Sequence, residues 1–466
     1  MKKLFIAFLS TTALACFGVA LIHSNVIKQA KADETVRVIA SDADFVAFKT
    51  DLLNEEMDGE KIRLDADINY EITDALTSEK AFRGEFDGNG HSVTITANTS
   101  DKENIALFRS IGSQGKVLNV TTKGTISGKG HVSSIACFNY GLVEKCVNEA
   151  TITATGQYVG GLIGVMNGSG VEQNTAHLIN CENYGNVSTT YGSSSSLGLG
   201  GVVGYSYGNV SIVSCSNYGN VSAGTAPFGI GGVLGVVKSG SSAGGDVYIT
   251  NSYNGGNING DRYVGGILGH IDANNAKAIH LSGCLNSGNI VCSNSSKGYD
   301  GQLIGNGKNA SSFTLTSSAI LGKLTTGTTS NVGQVVGYPA ADTYSGVNVA
   351  STNGVSDNVK DLIKLVRHFN CNADTAYKAQ VTSALAALSS EEETILSSVT
   401  YWDKTEEGND LDYISAANYI IGYSPNGSKM RLIFESETTW PFAFTILTLF
   451  LASASAILVI RKKKNN

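Results

Sequence analysis

The sequence predicts a mainly β chain wound as a right-handed parallel β-helix, and three observations predict it. Glycines recur in register, a second motif alternates with them, and the intervening segments are short and rich in Val, Ile and Thr. VGGLIG at 159–164 is echoed by GGVVG at 200–204, GGVLG at 231–235, GGILG at 265–269, GQLIG at 301–305 and GQVVG at 333–337. Repeats of roughly thirty residues suit one supersecondary unit each, and such a unit buries its apolar face only by stacking on its neighbours.

The second motif reads CENYGNV from Cys181, CSNYGNV from Cys215, SYNGGNI from Ser252 and CLNSGNI from Cys284, with a degenerate CVNEATI from Cys146. Asn148, Asn183, Asn217, Asn254 and Asn286 therefore hold one phase, and stacking at about 4.8 Å would let each side-chain amide bond the next. Cys146, Cys181, Cys215 and Cys284 should form a neighbouring inward column, broken by Ser252, in which cysteine acts as a small hydrophobe. The segments from Ile105 and Ser133 read as worn coils, and coils counted from Lys61 imply a rod of about 45 Å.

Taken in chain order, Lys2 and Lys3 precede an apolar run at 4–22, and Ala30-Lys31-Ala32 is a small-x-small cleavage pattern, so 1–32 reads as a signal peptide. A lipoprotein signal at Cys16 is the rival reading, but the apolar run continues past it. Residues 33–75 read as an N-terminal α/β cap: a strand, a helix capped by Ser41 with Phe45, Phe48 and Leu52 on one face, and a returning strand. FDGNGH at 86–91 supplies a turn, which accounts for Asp87 and His91 without acid-base chemistry. The β-helix is expected over 76–350.

Past 354 glycine thins and helical periodicity takes over, giving a small α-helical domain over 355–425, read as a membrane-proximal spacer. In it Val359, Leu362, Ile363 and Val366 share a face, and Ser390 with Glu393 reads as a capping box. The 440–460 stretch is free of charge and as a helix spans about 31 Å, so it reads as one transmembrane helix. The basic residues of the 461–466 tail place the C-terminus in the cytoplasm and the remainder outside.

Without the leader and tail, 25 basic residues face 40 acidic ones, a net charge of −15 that argues against a nucleic-acid partner. The cysteines show no CxxC or Cys/His spacing, so no metal and no cofactor is expected. Acids within the repeats are scattered, and Asp272 with Asp300 is a pair that coil stacking could bring together; no catalytic residue is assigned. Tyr140, Tyr184 and Tyr218 each follow Asn and precede Gly, and are the candidate binding residues, an outward column suited to sugar rings or a protein partner.

The GGLIG and CENYGNV pattern resembles the GLUG-type repeats of bacterial surface proteins, and FDGNGH resembles the segment that often precedes them. The resemblance covers 36–345 and implies a right-handed β-helix at a bacterial surface. Such repeats also occur beside the peptidase domain of immunoglobulin A peptidases, but the HExxH zinc motif is absent here. The segment ending AANYIIGYS looks like a membrane-proximal module of surface proteins from low-GC bacteria. The expectation is a non-catalytic, adhesin-like protein, anchored in the cell membrane by its C-terminal helix, that meets a host or cell-surface glycan or protein. A passive spacer and a polysaccharide-degrading lyase or hydrolase are the alternatives.

Overall fold

A computed structural model of the chain describes residues 36–399 apart from 169–174, 193–195, 225–227, 239–244, 273–277, 295, 308–312, 369–378, 381–382 and 385. The stretches expected to be a signal peptide, a transmembrane helix and a basic tail, and the later part of the helical module, lie outside the described residues. Among the described residues no helix is long and apolar enough to cross a membrane.

Among the described residues, strands paired in parallel build the four sheets of a parallel β-helix, with ten, sixteen, six and eight strands. Sheet A has ten strands, one per coil, beginning with Val36–Ile39 and Lys61–Leu64 and ending with Phe313–Thr316. The strands of the N-terminal cap are thus the first ranks of the solenoid. Inside sheet A, Val143, Leu178, Ile212, Ile249, Leu281 and Leu315 stand in register, all at most 2% exposed. Each such side chain contributes about 1.5–3 kcal/mol by leaving water, and stacking repeats that gain coil by coil.

Sheet B divides. Its early strands Ser92–Asn98 and Thr121–Gly128 are long. From Val147 onward each coil bends once and supplies two short strands, such as Val147–Asn148 and Thr151–Ala154. The first of these series carries the asparagines, and the second lies beyond the bend.

Two further corners are turned by single residues in the left-handed region. Asn119, Lys145, Asn180, Ser214, Asn251, Gly283 and Ser317 occupy one, with φ between 46° and 64°. His131, Tyr158, Gly198, Gly229, Tyr263, Tyr299 and Asn331 occupy the other. Asn and Gly tolerate this conformation best, which is why they recur there, yet Lys and Tyr are also forced into it by the coil.

Helix α1, Asp42–Asp51, closes the N-terminal end. The Ser41 hydroxyl accepts from the Asp44 amide, while the Asp44 carboxylate accepts from the Ala40 amide, a reciprocal cap. Phe45, Phe48 and Leu52 are fully buried and join Phe82, Phe86 and Phe108 in an aromatic plug over the first coils. Covering the plug hides the open coil from other strand edges.

Helix α2, Asp357–Arg367, and helix α3, Ser390–Val399, follow the last coil. The cap of α3 sits one residue earlier than the sequence suggests: the Ser389 hydroxyl accepts from the Glu392 amide and the Glu392 carboxylate accepts from the Ser389 amide. Val359, Leu362, Ile363 and Leu396 pack with Tyr253, Leu285, Ala319 and Leu321 of the coils. The described part of the helical module therefore shares a core with the solenoid and lies along its flank.

Candidate functional site

The asparagines form a continuous buried ladder. Nδ2 of Asn148 donates to Oδ1 of Asn183 (2.7 Å), Asn183 to Asn217 (2.8 Å), Asn217 to Asn254 (2.8 Å) and Asn254 to Asn286 (2.7 Å). The same Nδ2 atoms donate to the carbonyl two residues on, at Ala150, Gly185, Gly219, Gly256 and Gly288, which holds the bend of sheet B. Thr122 Oγ1 donates to Asn148 Oδ1 (3.1 Å) at one end of the ladder. At the other end the following coil has Ile320 in the asparagine position, and Asn286 donates instead to the side chain of Gln302.

That substitution explains the glycine motif. A Cβ on Gly201 would lie 2.3 Å from Cγ of Asn217, and one on Gly232 would lie 2.3 Å from Cγ of Asn254. The second glycine of GGxxG is bare because the ladder amide occupies its side-chain space. Where the repeat reads GQ at 301–302, the glutamine ends the ladder.

Beside the ladder, Cys146 N–H meets Cys181 Sγ (3.4 Å), Cys215 N–H donates to Ser252 Oγ (3.3 Å) and Cys284 N–H donates to Ser318 Oγ (3.2 Å). Ser318 extends the column one coil beyond the cysteine motif. The six cysteines among the described residues are free and buried. Burial raises the Cys181 thiol well above its usual range and pushes the Cys284 thiol up to about 11, disfavouring the reactive thiolate.

The structure separates the three tyrosines. Asn139 before Tyr140 ends a strand in another sheet, paired with Ile111 and Met166, so Tyr140 turns a different corner. Tyr184 and Tyr218 do stack, with centroids 4.7 Å apart, and Tyr253 continues the stack at 5.6 Å from Tyr218 although it precedes its asparagine. The expected open column is covered. Lys364 Nζ lies 4.8 Å from the Tyr184 ring and 5.7 Å from that of Tyr218, and the Arg367 guanidinium is 5.3 Å from the Tyr253 ring. Arg367 is itself buried, donating from Nε to Ser216 Oγ (3.4 Å) and from its other nitrogen to the Asn251 carbonyl.

His368 completes this clamp, its Nδ1 2.7 Å from Oε2 of buried Glu182, which also accepts from the Tyr184 hydroxyl (2.9 Å). The bond to Glu182 holds the His368 imidazole above its ordinary range of 6.5, with burial and Lys364 opposing. A group raised by folding stabilises fully below its unfolded value, and that contribution is lost as pH climbs through the folded one. His368 is 38% exposed, so screening keeps the effect modest. We predict that hydrogen-exchange protection of 357–367, corrected for intrinsic rates, falls as pH rises above about 6.5, and that His368→Gln removes the dependence. A flat wild-type profile would refute the coupling.

At the second left-handed corner His131, Phe138, Tyr158, Tyr205 and Tyr207 contact one another at 4.8–4.9 Å. Tyr263, His270, Tyr299 and Tyr338 repeat the arrangement further along. These rings spend much of their surface on each other and brace the corner.

Asp272 and Asp300 have separate partners. Asp272 pairs with Lys238 (3.8 Å) on the outside of the coils. Asp300 is fully buried, accepts from the Val264 amide (3.2 Å), and is pushed up to about 7 by desolvation. Asp87 accepts from Asn89 N–H and Asn119 Nδ2 within its turn, and His91 lies 3.4 Å from Asp67. Among the described residues no group of three or more His, Cys, Asp and Glu is placed to hold a metal ion.

One set of residues the sequence reading passed over is the second asparagine of each motif. Asn186 Oδ1 accepts from the Asn220 amide (3.0 Å), Asn220 Oδ1 from the Asn257 amide (3.1 Å), Asn257 Oδ1 from the Asn289 amide (3.2 Å), and Asn289 Oδ1 from the Lys323 amide (3.0 Å). Here Asn186, Asn220 and Asn257 are exposed, unlike the inner series. The GN pair that recurs before the last residue of the four full motifs was the available signal.

Fold and flank together define a stacked-coil solenoid with one side covered by helix and another side open. No protein-family model matches the chain. Halomucin of Haloquadratum walsbyi is 29% identical over 92 residues, which is 19% of this chain and 1% of halomucin, so the chain spans about a hundredth of that relative. A crystal structure described as a "putative immunoglobulin A1 protease" from Bacteroides ovatus aligns with a TM-score of 0.42 and 22% identity, over 53% of this chain and 76% of that one.

Proposed function

We propose that the chain is a membrane-anchored bacterial surface protein that holds a right-handed β-solenoid outside the cell for adhesion or ligand binding, without catalysis. The observation that carries this reading is the open flank of sheet B beyond the bend, where aligned polar side chains repeat coil after coil while the acids of the repeats stay apart. Leader-like and anchor-like ends in the sequence, and the likeness of the repeats to the GLUG type, support display at the surface. The covered tyrosines Tyr184 and Tyr218 serve the clamp, which leaves the open flank as the contact surface.

Display is tested by protease treatment of intact cells carrying the full chain with a C-terminal tag. The expected result is loss of the ectodomain and retention of a short tagged fragment; a fully protected chain refutes display. Adhesion is tested by comparing those cells with cells lacking the chain on glycan and matrix surfaces. Equal attachment would favour the spacer reading, which the smooth stacking of the coils also suits.

A further inference from the structure

The geometry points to the ligand class of the open flank: a neutral, extended 1,4-linked polysaccharide lying along the solenoid axis, one sugar to each coil. This inference rests on the surface-display reading and goes beyond it. A backbone N–H can bond only the oxygen of a side-chain amide, so each bond from the next coil fixes which end of the amide is which. With Oδ1 committed, the Nδ2 donors of exposed Asn186, Asn220 and Asn257 are left to meet solvent or a ligand. They are held by the backbone of the rod at its strand spacing of about 4.8 Å, so little ordering entropy remains to be lost on binding.

Two residues further along each strand a second column faces the same way. Ser188, Ser222 and Asn259 stand in register across neighbouring strands and remain at least partly exposed. Val187, Val221 and Ile258 between the columns point inward and are fully buried, which keeps the face flat. The flank thus offers donors in one column and hydroxyl or amide groups in the other, about 7 Å apart. A pyranose in an extended 1,4-linked chain advances by nearly one strand spacing and carries hydroxyls on both edges. From Asn186 to Asn257 and from Ser188 to Asn259 neither column contains a charged residue, so the complement is a neutral sugar. At the far end of the columns Val291 replaces the polar group and Lys323 follows Asn289, which limits the matched stretch.

The test uses the full-length chain in detergent with cellohexaose and chitohexaose, a hexameric polyuronate and an α-1,6-linked glucan of equal length. Binding of a neutral 1,4-linked oligomer, strengthening from two sugars to about four, is the expected result. Asn220→Asp keeps the oxygen that accepts from the Asn257 amide but removes the outward donor, and should weaken binding about tenfold with the thermal midpoint nearly unchanged. Ser222→Val lies on the same face without a ladder bond and should weaken binding in the same direction. No binding of either neutral oligomer overturns the inference, as does preference for the polyuronate or the α-1,6 glucan, or binding indifferent to both variants. Protease accessibility on cells reports display separately, so either reading can fail alone.

Discussion

Asn217→Ala is expected to destabilise the solenoid by about 4 kcal/mol, because it strands several buried polar groups at once. Asn217 is fully buried, receives Nδ2 of Asn183, and donates to Asn254 Oδ1 and the Gly219 carbonyl. Removing it leaves the Gly219 carbonyl and Asn254 Oδ1 short of a donor and Asn183 Nδ2 short of an acceptor, each worth about 1–3 kcal/mol when no water replaces it. Neighbouring coils offer no substitute, since the residues facing the ladder amides are glycines, Gly201 against Asn217 and Gly232 against Asn254, with no side chain to replace the lost amide. Asn220→Ala, three residues away but facing solvent, should cost no more than about 1 kcal/mol because water can reach the freed amide. Denaturant unfolding of the two variants is the measurement, and similar midpoints for both would sink the claim.

Glu79→Ala is expected to cost about 3–5 kcal/mol by leaving Lys49 as an uncompensated buried charge. Lys49 comes from α1 and Glu79 from the segment leading into the coils; they form an ion pair with side chains only 5% and 2% exposed. The ammonium also donates to the Leu107 carbonyl (2.5 Å) and lies 5.1 Å from the Phe108 ring, while Glu79 Oε2 accepts from the Arg109 amide (3.0 Å). Inside an aromatic plug these bonds offset the desolvation of both ions, and they do so only as a set. The double change Lys49→Met with Glu79→Leu removes both charges and should recover most of the loss. If the double variant is as unstable as the single one, packing at the plug rather than charge decides the effect.

Repeat organisation was legible because a solenoid writes its structure into the period. The inner asparagine and cysteine positions could be read from one motif, since each coil must present the same side chain to the same neighbour. The outer asparagine escaped notice for the opposite reason: a polar residue at an exposed turn has many ordinary explanations. Tyr140 was grouped with Tyr184 and Tyr218 on an Asn-Tyr-Gly tripeptide that occurs at two different corners, and only strand pairing tells them apart. Burial of Asp300 beside the Val264 amide likewise left no trace in its spacing from Asp272.

By itself, the sequence determined that the described chain is a stack of coils, where the glycines fall, and which columns face inward. These follow from contacts between adjacent repeats, whose pattern recurs along the chain. Tertiary structure alone decided which outward columns are open. Arg367 reaches Ser216 and His368 reaches Glu182 across more than 150 residues of sequence, and those contacts close the tyrosine flank while the outer asparagines stay exposed. A contact made once, between distant segments, has no period to announce it; it depends on side-chain fit between α2 and the coils, which exists only after both have folded.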